Sequence, residues 1–359
     1  MGNLWLRHET KRHERRTPLL PENARALVQS GHDVVVETSE TRIFPDHAYA
    51  SAGCELVPPG TWVDADSNYF VLGLKELPEA EFALRHQHIY YAHCYKGQRH
   101  SRQVLERFLR GGGTLLDCEY LTDDRGKSKT VAKIGWLSGY VGAAMAVQFY
   151  LQKHLGRPLK VGVPYFSDVH QLITHTIDLA QQAQKAPSLV IIGGRGNAGS
   201  GAAEFCQEVN MRASLWGRAE TSSPDVAATL NQFEVLVNCI QAEEPGPPFL
   251  TEGDLYADKK LSILADVTCD VGSPAHRFPF YSRITTFDEP SLAVGPDHAA
   301  VDVIAIDHLT TWLPLEASRL IAEPLFVELR ELLDAQDNVL PAPWLKTKDK
   351  FLGETGHFR

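Results

Sequence analysis

The chain lacks the features that mark several large classes of protein. Its six cysteines are scattered with no CxxC pair, which argues against a disulfide framework and against a zinc site built on cysteine. It contains no run of eighteen apolar residues, and its first residues lack the layout of a secretory signal, so we expect a cytoplasmic protein without a membrane span. The formal net charge of −10 opposes nonspecific binding to nucleic acid. These absences favour an enzyme that acts on small molecules.

One short segment carries a clear cofactor-binding signal. An apolar run at 189–192 is followed by clustered glycines and then by a helical pattern. Glycines at such a turn let the backbone approach a pyrophosphate, and the start of the helix offers free N–H groups to the anion. A plain glycine-rich loop is the alternative. The predicted cofactor-binding residues of the turn are Gly193, Gly194, Arg195, Gly196, Asn197, Ala198 and Gly199.

The residue at the end of the next strand usually selects the cofactor. An Asp or Glu there accepts hydrogen bonds from the adenosine ribose and repels a 2′-phosphate. This chain instead has Gly217 followed by Arg218. Because a glycine leaves room and an arginine pairs with phosphate, we expect NADP(H) to be favoured over NAD(H). In the alternative interpretation, Arg218 is a surface residue and Glu220 reaches the ribose.

Strand-like and helix-like segments alternate on both sides of this turn, which predicts an α/β protein with parallel sheets. We place a dinucleotide-binding domain at 137–309 and a substrate and catalytic domain at 1–136 plus 310–359. Further predicted cofactor-binding residues lie at two strand ends and are Cys239, Ile240, Asp266 and Val267. The predicted strands are 4–6, 33–36, 69–74, 89–92, 114–116, 189–192, 213–216, 235–240, 261–267 and 301–306, and the predicted helices include 21–30, 99–109, 143–155 and 316–333.

Ionisable residues end two neighbouring strands of the first domain. Lys75 and His93 would bring an amine and an imidazole to the same edge of one sheet, where ligands of parallel sheets bind. Such a pair exchanges protons near neutral pH if burial and nearby charges lower the pKa of the lysine. We predict these two as the catalytic residues, although each alone is compatible with a solvated lysine or a structural histidine. His86, His88 and His93 do not form a closed ligand set, so we predict no metal.

More charged residues follow the strands of the same edge. Arg16, in the loop after the first strand, offers a bidentate fork for a substrate carboxylate. Glu119, just past the strand at 114–116, would tune the pKa of Lys75. For Glu14, Lys96 and Glu119, an ordinary surface charge is an equal alternative. The predicted substrate-binding residues are Lys11, Glu14, Arg16, Lys96 and Glu119.

Several motifs occur in order along nearly the whole chain: Glu9-Thr-Lys11, Gly73-Leu-Lys-Glu-Leu-Pro78, Ala92-His-Cys-Tyr-Lys96, the turn at 193–201, Val237-Asn-Cys-Ile240, Ile306-Asp-His-Leu309 and Glu316-Ala-Ser318. Together they resemble the lysine-forming saccharopine dehydrogenases of the alanine dehydrogenase and transhydrogenase superfamily. The resemblance implies a monomer of two Rossmann-like domains whose parallel sheets flank an inter-domain cleft. It implies pyridine-nucleotide-linked oxidation of a secondary amine that joins lysine to a 2-oxoglutarate-derived unit through an imine, or the reverse condensation.

The resemblance also implies roles for individual residues. Lys75 and His93 match the acid–base pair, Arg16 a substrate-carboxylate binder, Lys11 and Glu14 supporting charges, and Asp307 a residue beside the nicotinamide.

The chain departs from the family pattern at several positions. Gly217 replaces an aspartate that binds the ribose, and Ala198 replaces the first cysteine of a pair whose second is Cys239. Lys129-Thr130 stands where an arginine is expected, so either Lys129, Lys127 or Arg125 substitutes for it or the amine and oxo acid differ. An opine-type or amino-acid dehydrogenase is therefore one alternative. A non-catalytic NADPH-sensing regulator is another, although such a protein would need neither Lys75 nor His93.

Overall fold

The structure is a computed structural model and describes residues 1–95, 101–130, 132–159, 165–242, 244–335 and 339–358. The chain forms two compact units, Met1–Ala132 with Leu315–Arg359, and Lys133–Pro314. We call them the first unit and the nucleotide unit. The predicted boundaries at 136/137 and 309/310 differ from these divisions by a few residues.

The first unit is built on a parallel six-stranded sheet with the order β3-β2-β1-β4-β5-β6. One of its faces packs on a core that includes Trp5, Val71, Leu115, Phe108 and Phe351. The strands are β1 (Asn3–Leu6), β2 (Asp33–Glu37), β3 (Glu55–Val57), β4 (Tyr69–Leu72), β5 (Gln87–Tyr90) and β6 (Thr114–Asp117). The helices are α1 (Pro21–Gln29), α2 (Asp46–Ala50), α3 (Ser101–Gly111), α9 (Pro314–Asp334) and α10 (Ala342–Thr355), with α4 to α8 in the nucleotide unit.

The nucleotide unit is a second six-stranded sheet with the order β11-β12-β10-β9-β7-β8. Its strands are parallel except β11, which runs antiparallel to β12. The strands are β7 (Leu189–Ile192), β8 (Ala213–Trp216), β9 (Val235–Asn238), β10 (Ile263–Asp266), β11 (Leu292–Val294) and β12 (Val301–Ile304). Strands β7, β9 and β10 are buried throughout, as expected for a parallel sheet covered on both faces. The predicted α/β class with parallel sheets is confirmed.

Helices of the nucleotide unit are α4 (Ala132–His154), α5 (Val169–Ala183), α6 (Asn197–Glu208), α7 (Arg218–Thr221) and α8 (Val226–Leu230). Helix α4 begins well before the predicted start at residue 143, because its glycines are packing sites and not loop signals. A Cβ on Gly139 would lie 1.8 Å from the carbonyl oxygen of Ala198, and one on Gly201 would lie 2.0 Å from that of Trp136. The absence of these side chains lets α4 and α6 approach closely, which positions the start of α6.

Helix α4 also meets a length and composition test for a membrane span over Lys133–His154, contrary to the expectation from the sequence. However, 78% of the tested window is buried inside the structure. A helix at the centre of a packed domain is buried in this way. Helix α4 is therefore only weak evidence for a membrane span.

Candidate active site

The main chain of Lys75 is held from two sides just beyond the end of β4. The Glu9 carboxylate accepts hydrogen bonds from the N–H of Leu74 at 2.7 Å and of Lys75 at 2.9 Å. The Arg7 guanidinium donates to the Lys75 carbonyl oxygen and lies 3.4 Å from Glu9. A Cβ on Gly73 would lie only 2.2 Å from this guanidinium, so a side chain there would displace Arg7 from the Lys75 carbonyl. The lysine side chain therefore starts from a fixed backbone.

The side chain of Lys75 lies in a buried, charged environment. Burial lowers the pKa of its amine, and the charge of Arg16 lowers it further. Glu76 and Glu14 act in the opposite direction, and Lys11 adds to the lowering. A lowered pKa brings the neutral amine, which accepts a proton, closer to physiological pH. Lys75 thus meets the electrostatic condition for a general base.

Arg16 and Glu14 form a buried bidentate pair. The guanidinium donates through Nε at 2.7 Å and through Nη2 at 2.5 Å, and the Arg16 backbone N–H adds a third bond at 3.0 Å. Burial opposes ionisation of Glu14, but the charge and hydrogen bonds of Arg16 outweigh it and hold the pKa of Glu14 at about 2. Two guanidinium nitrogens of Arg16 are thus engaged by Glu14, which fixes the plane of the fork.

His93 and Glu119 form a second pair in the first unit. The Nδ1 atom of His93 lies 2.7 Å from a carboxylate oxygen of Glu119. With Nδ1 donating to this carboxylate, the neutral ring presents Nε2 as its proton acceptor. His93 has a φ of 47°, which is uncommon for a residue other than glycine, so its orientation depends on its surroundings.

Asp117 supports both members of this pair from the end of β6. Its Oδ1 accepts the N–H of Ala92 at 3.4 Å and the N–H of Glu119 at 2.9 Å. Burial raises the pKa of this carboxyl to about 7, with the Glu119 charge acting in the same direction. Asp117 thereby links the segment before His93 to the turn that carries Glu119.

Glu76 connects the lysine and histidine regions electrostatically. Burial would raise the pKa of its carboxyl, but the charges of Lys75, Lys11 and His93 act against burial, and the pKa is lowered overall. The structure therefore brings Lys11, Glu14, Arg16, Lys75, His93 and Glu119 into the same unit around linked charges. Lys96 lies outside the described residues.

The glycine turn of the nucleotide unit is closed so tightly that side chains would not fit. Gly193 has a φ of 77°, and a Cβ on it would lie 2.8 Å from the Ile240 side chain and 3.2 Å from the Cys239 carbonyl. A Cβ on Gly199 would lie 2.0 Å from the Gly193 oxygen. Gly196 is exposed and precedes the first turn of α6, where Asn197 and Ala198 begin the helix. A tight glycine turn followed by the start of a helix is the arrangement that cradles a pyrophosphate in parallel α/β sheets.

Residues around the end of β8 form a small capped turn. Glu220 Oε2 accepts the N–H of Gly217 at 2.7 Å, while Arg218 is exposed. Beside them a cavity of about 900 Å³ is lined on one side by Arg218 and Thr221 and on another by Ile240. The exposed Arg195 is near enough for its charge to act on Glu220.

Two further predicted residues of the nucleotide unit, Asp266 and Asp307, have different surroundings. Asp266 is 1% exposed, and its carboxylate accepts bonds from Asn238 at 3.0 Å, Thr268 at 2.8 Å and Tyr281 at 2.6 Å. Burial opposes its ionisation, but its hydrogen bonds prevail and lower the pKa. Its hydrogen bonds therefore hold the surrounding loop in place. Asp307 lies 2.5 Å from Nδ1 of His308.

Val267 is packed towards α4, since a Cβ on Gly142 would lie 2.6 Å from its side chain. The buried His88 contacts the Trp62 ring edge-on at 5.0 Å, whereas His93 pairs with Glu119. Among the described residues, no three His, Cys, Asp or Glu side chains are placed to hold a metal ion.

Comparison with known proteins gives consistent relatives. A family model described as the alanine dehydrogenase/PNT N-terminal domain matches residues 5–134. The chain is 38% identical to the saccharopine dehydrogenase [NAD(+), L-lysine-forming] of Emericella nidulans, with 98% of this chain and 96% of that protein covered. It is 37% identical to the enzyme of the same name from Yarrowia lipolytica, covering 97% and 96%. The chain belongs to the L-lysine-forming saccharopine dehydrogenase family.

Members of this family are oxidoreductases, and this chain is accordingly a pyridine-nucleotide-dependent oxidoreductase of the saccharopine dehydrogenase type. Two solved structures share its fold. An L-alanine dehydrogenase matches with a TM-score of 0.70 at 18% identity, covering 98% of this chain and 94% of that one. A transhydrogenase from Sinorhizobium meliloti matches with a TM-score of 0.64 at 16% identity, covering 91% and 93%.

The family corrects the expected cofactor preference. The relatives are named for NAD(+), so the prediction that NADP(H) is favoured over NAD(H) was wrong. The prediction rested on Gly217 and Arg218 at the end of β8 and kept a ribose contact from Glu220 only as the alternative. It gave too little weight to Glu220, whose carboxylate folds back onto Gly217 and returns a negative charge to this position.

The structure also adds residues that the sequence prediction missed. Arg7 and Glu9 hold the Lys75 backbone, Asp117 holds the segments of His93 and Glu119, and the charge of Glu76 couples to that of Lys75. Only Glu76 had an evident signal, since it directly follows the lysine.

The loop where a substituting cation was expected is also defined. Lys129 is paired with Glu328 of α9 at 2.7 Å, and the neighbouring Thr130 is buried and bonds to the Cys118 carbonyl. The ammonium of Lys129 therefore already has an anionic partner within the first unit.

Proposed function

We propose that this chain is an NAD-linked saccharopine dehydrogenase. It would convert saccharopine, NAD⁺ and water to lysine, 2-oxoglutarate, NADH and a proton, or run the reverse condensation. The observation that carries the proposal is the buried Lys75, with its lowered pKa, in the same unit as the His93–Glu119 pair. Relatives named for this reaction, at 36–38% identity, support the choice of substrates and cofactor.

Lys75 would take the proton from the secondary amine. The nitrogen must lose this proton before the adjacent C–H bond can be broken, and a neutral lysine amine is a base suited to remove it. NAD, when bound at the glycine turn, supplies the hydride acceptor for that C–H bond. The fixed main chain of Lys75 limits the positions that the amine can reach, which reduces the entropy lost on reaction.

His93 would assist the hydrolysis of the resulting imine. Its Nε2 takes a proton from the water that adds to the imine carbon, while Glu119 holds Nδ1–H and stabilises the imidazolium that forms. The imidazolium then returns the proton as the lysine amine leaves. Arg16, aligned by Glu14, would bind a carboxylate of the oxo-acid half, with Lys11 as a further positive charge.

The proposal is tested by turnover of defined substrate pairs. Purified protein is given NADH, lysine and 2-oxoglutarate, and the loss of reduced nucleotide is followed while the product is identified as saccharopine by mass spectrometry. Parallel reactions replace lysine with ornithine or alanine, and 2-oxoglutarate with pyruvate. Turnover with lysine and 2-oxoglutarate well above the other pairs is the expected result.

Two outcomes contradict the proposal in different ways. Preferential turnover of another amine or oxo acid would identify an opine-type or amino-acid dehydrogenase. Tight nucleotide binding with no turnover of any pair would identify a nucleotide-sensing regulator. We further propose that the enzyme acts as a cytoplasmic monomer, which light scattering after size-exclusion chromatography and fractionation of cells would test.

A further inference from the structure

We propose that Glu220, and not a residue at the end of β8 itself, makes this chain select NAD over NADP. Its carboxylate takes the place that the side chain of an acidic residue at position 217 would occupy. The inference rests on the proposed use of NAD and names the residue responsible for it.

The end of β8 is tied directly to the glycine turn. The N–H groups of Gly193 and Gly194 donate to the carbonyl oxygen of Trp216 at 2.9 and 3.2 Å. A Cβ on Gly194 would lie 2.9 Å from the Leu215 side chain, so the glycine permits this close approach. Position 217 therefore lies next to the pyrophosphate cradle, where the ribose of a dinucleotide is recognised in this fold.

The Glu220 carboxylate reaches back to position 217. Its Oε2 accepts the N–H of Gly217 at 2.7 Å and lies 3.7 Å from the point where a Cβ on Gly217 would stand. The φ of Gly217 is −126°, which any residue adopts. The backbone at position 217 thus does not require a glycine. The lack of a side chain there leaves space, and the Glu220 side chain reaches into it.

The charge of Glu220 suits ribose hydroxyls and not a phosphate. The hydrogen bond from Gly217 lowers the pKa of this carboxyl, and the Arg195 charge acts in the same direction. The group is consequently ionised at neutral pH. A carboxylate so placed accepts hydrogen bonds from ribose hydroxyls and repels a 2′-phosphate.

The adjoining cavity is consistent with an adenosine beside this carboxylate. It measures about 900 Å³, and two of its lining residues, Arg218 and Thr221, flank Glu220 in the chain. Ile240 both lines the cavity and contacts the glycine turn at Gly193. The cavity therefore adjoins the segment after β8 and shares Ile240 with the surroundings of the glycine turn.

The test is a binding measurement that needs no turnover. Dissociation constants of NADH and NADPH are obtained by fluorescence titration for the unmodified protein and for Glu220→Gln, which keeps an acceptor for the Gly217 N–H but removes the charge. We expect the unmodified protein to prefer NADH. In Glu220→Gln the preference should fall by about tenfold or more, because a charge-assisted bond is lost and a repulsion is removed.

Two further variants make the result specific. Asp225→Asn removes an equal charge from a nearby exposed position, and it should leave the ratio of the two dissociation constants unchanged. Adding Gly217→Asp to Glu220→Gln should restore the preference for NADH, since any residue adopts the backbone of position 217 and a Cβ there meets only the end of the side chain at 220, at 3.7 Å. An unchanged ratio in Glu220→Gln, an equal shift in Asp225→Asn, or tighter NADPH binding by the unmodified protein would each overturn the inference.

Failure of the proposed function gives a different pattern. If the unmodified protein prefers NADH and Glu220→Gln loses that preference, but no turnover occurs with lysine and 2-oxoglutarate, the role of Glu220 stands and the proposed reaction does not. If the unmodified protein turns over lysine and 2-oxoglutarate but Glu220→Gln leaves the ratio of the two dissociation constants unchanged, the proposed reaction stands and the role of Glu220 does not.

Discussion

At the scale of single residues, the proposed reaction depends on a lysine that can lose its proton. Lys75→Met removes the amine while keeping a side chain of similar length, so turnover should fall by about 10²- to 10⁴-fold. Because burial lowers the pKa of Lys75, oxidation should increase as pH rises through that pKa, and this limb of the pH–rate profile should disappear in the variant. Near-native turnover with an unchanged profile would place the base elsewhere. NADH affinity serves as the folding control.

Glu9 should matter for rate because it positions the lysine that we propose as the base. Glu9→Gln keeps one acceptor oxygen but turns an amide N–H₂ towards either Leu74 N–H or Lys75 N–H. We expect kcat to fall by about 10- to 100-fold through misplacement of the amine, with NADH affinity unchanged.

Glu37→Gln is the matched control for this effect. Glu37 is also a buried carboxylate of the first unit, and it accepts bonds from Trp5, His8 and Trp62 but none from Lys75. Thermal unfolding should report a loss of stability in both variants, and kcat should fall only in Glu9→Gln. An equal loss of kcat in both would reduce Glu9 to a stabilising residue.

His88 should make the first unit sensitive to acid. Burial lowers its pKa well below the usual 6.5, with the charge of Arg7 adding to the effect. As pH falls below 6.5, the unfolded chain binds a proton that the folded state does not, so stability falls by up to about 1.4 kcal/mol per pH unit. In His88→Phe this loss should be smaller in urea titrations at pH 7 and pH 5. The exposed His170→Gln is the control and should retain the full pH dependence.

At the scale of elements, two glycines between β7 and α6 provide a matched pair of substitutions. Gly199→Ala places a Cβ 2.0 Å from the Gly193 carbonyl oxygen, so the turn must open and both stability and NADH affinity should fall. Gly196→Ala meets the same oxygen at 3.2 Å from an exposed position. It should weaken NADH binding about tenfold or more with little loss of stability, because its methyl group obstructs the pyrophosphate. Equal effects on stability would contradict this division.

The sequence predicted the strands of four or five residues and missed the two of three residues. The predictions at 189–192 and 213–216 coincide with β7 and β8. The three-residue strands β3 and β11 were missed because so few residues carry no measurable alternation. Helix α4 is largely buried, so it lacks the one-sided apolar pattern that would have shown its start.

Site residues that stand at strand ends could be predicted from the sequence. Residues whose role depends on a contact formed only in the folded chain could not. Lys75 and His93 were chosen by their positions at strand ends and Asp307 from the family resemblance, and their catalytic and binding roles stay predictions. Glu9 supports a residue far away in sequence, and no local pattern reveals that contact. Glu220 was recognisable only as an alternative, because a hydrogen bond to Gly217 places its carboxylate.

At the scale of the whole molecule, the last helix completes the first unit. Phe351 of α10 is 3% exposed and packs against Phe108 of α3, with ring centroids 5.6 Å apart. Phe351→Ala should destabilise the protein by about 3–5 kcal/mol, measured by urea unfolding, because a large core side chain is lost. Its neighbour Leu352 is 48% exposed, and Leu352→Ala should cost far less. Similar losses in both variants would show that α10 does not belong to this core.

The return of the chain to the first unit imposes an order on biosynthesis. Residues 1–132 leave the ribosome without α9 and α10, and their core stays incomplete while residues 133–314 are made. The nucleotide unit is continuous and can fold as soon as it emerges. During that interval the apolar residues of β6 and α3 that α10 covers in the folded protein stay exposed. The nucleotide unit, in the middle of the chain, can thus reach its native state before the first unit does.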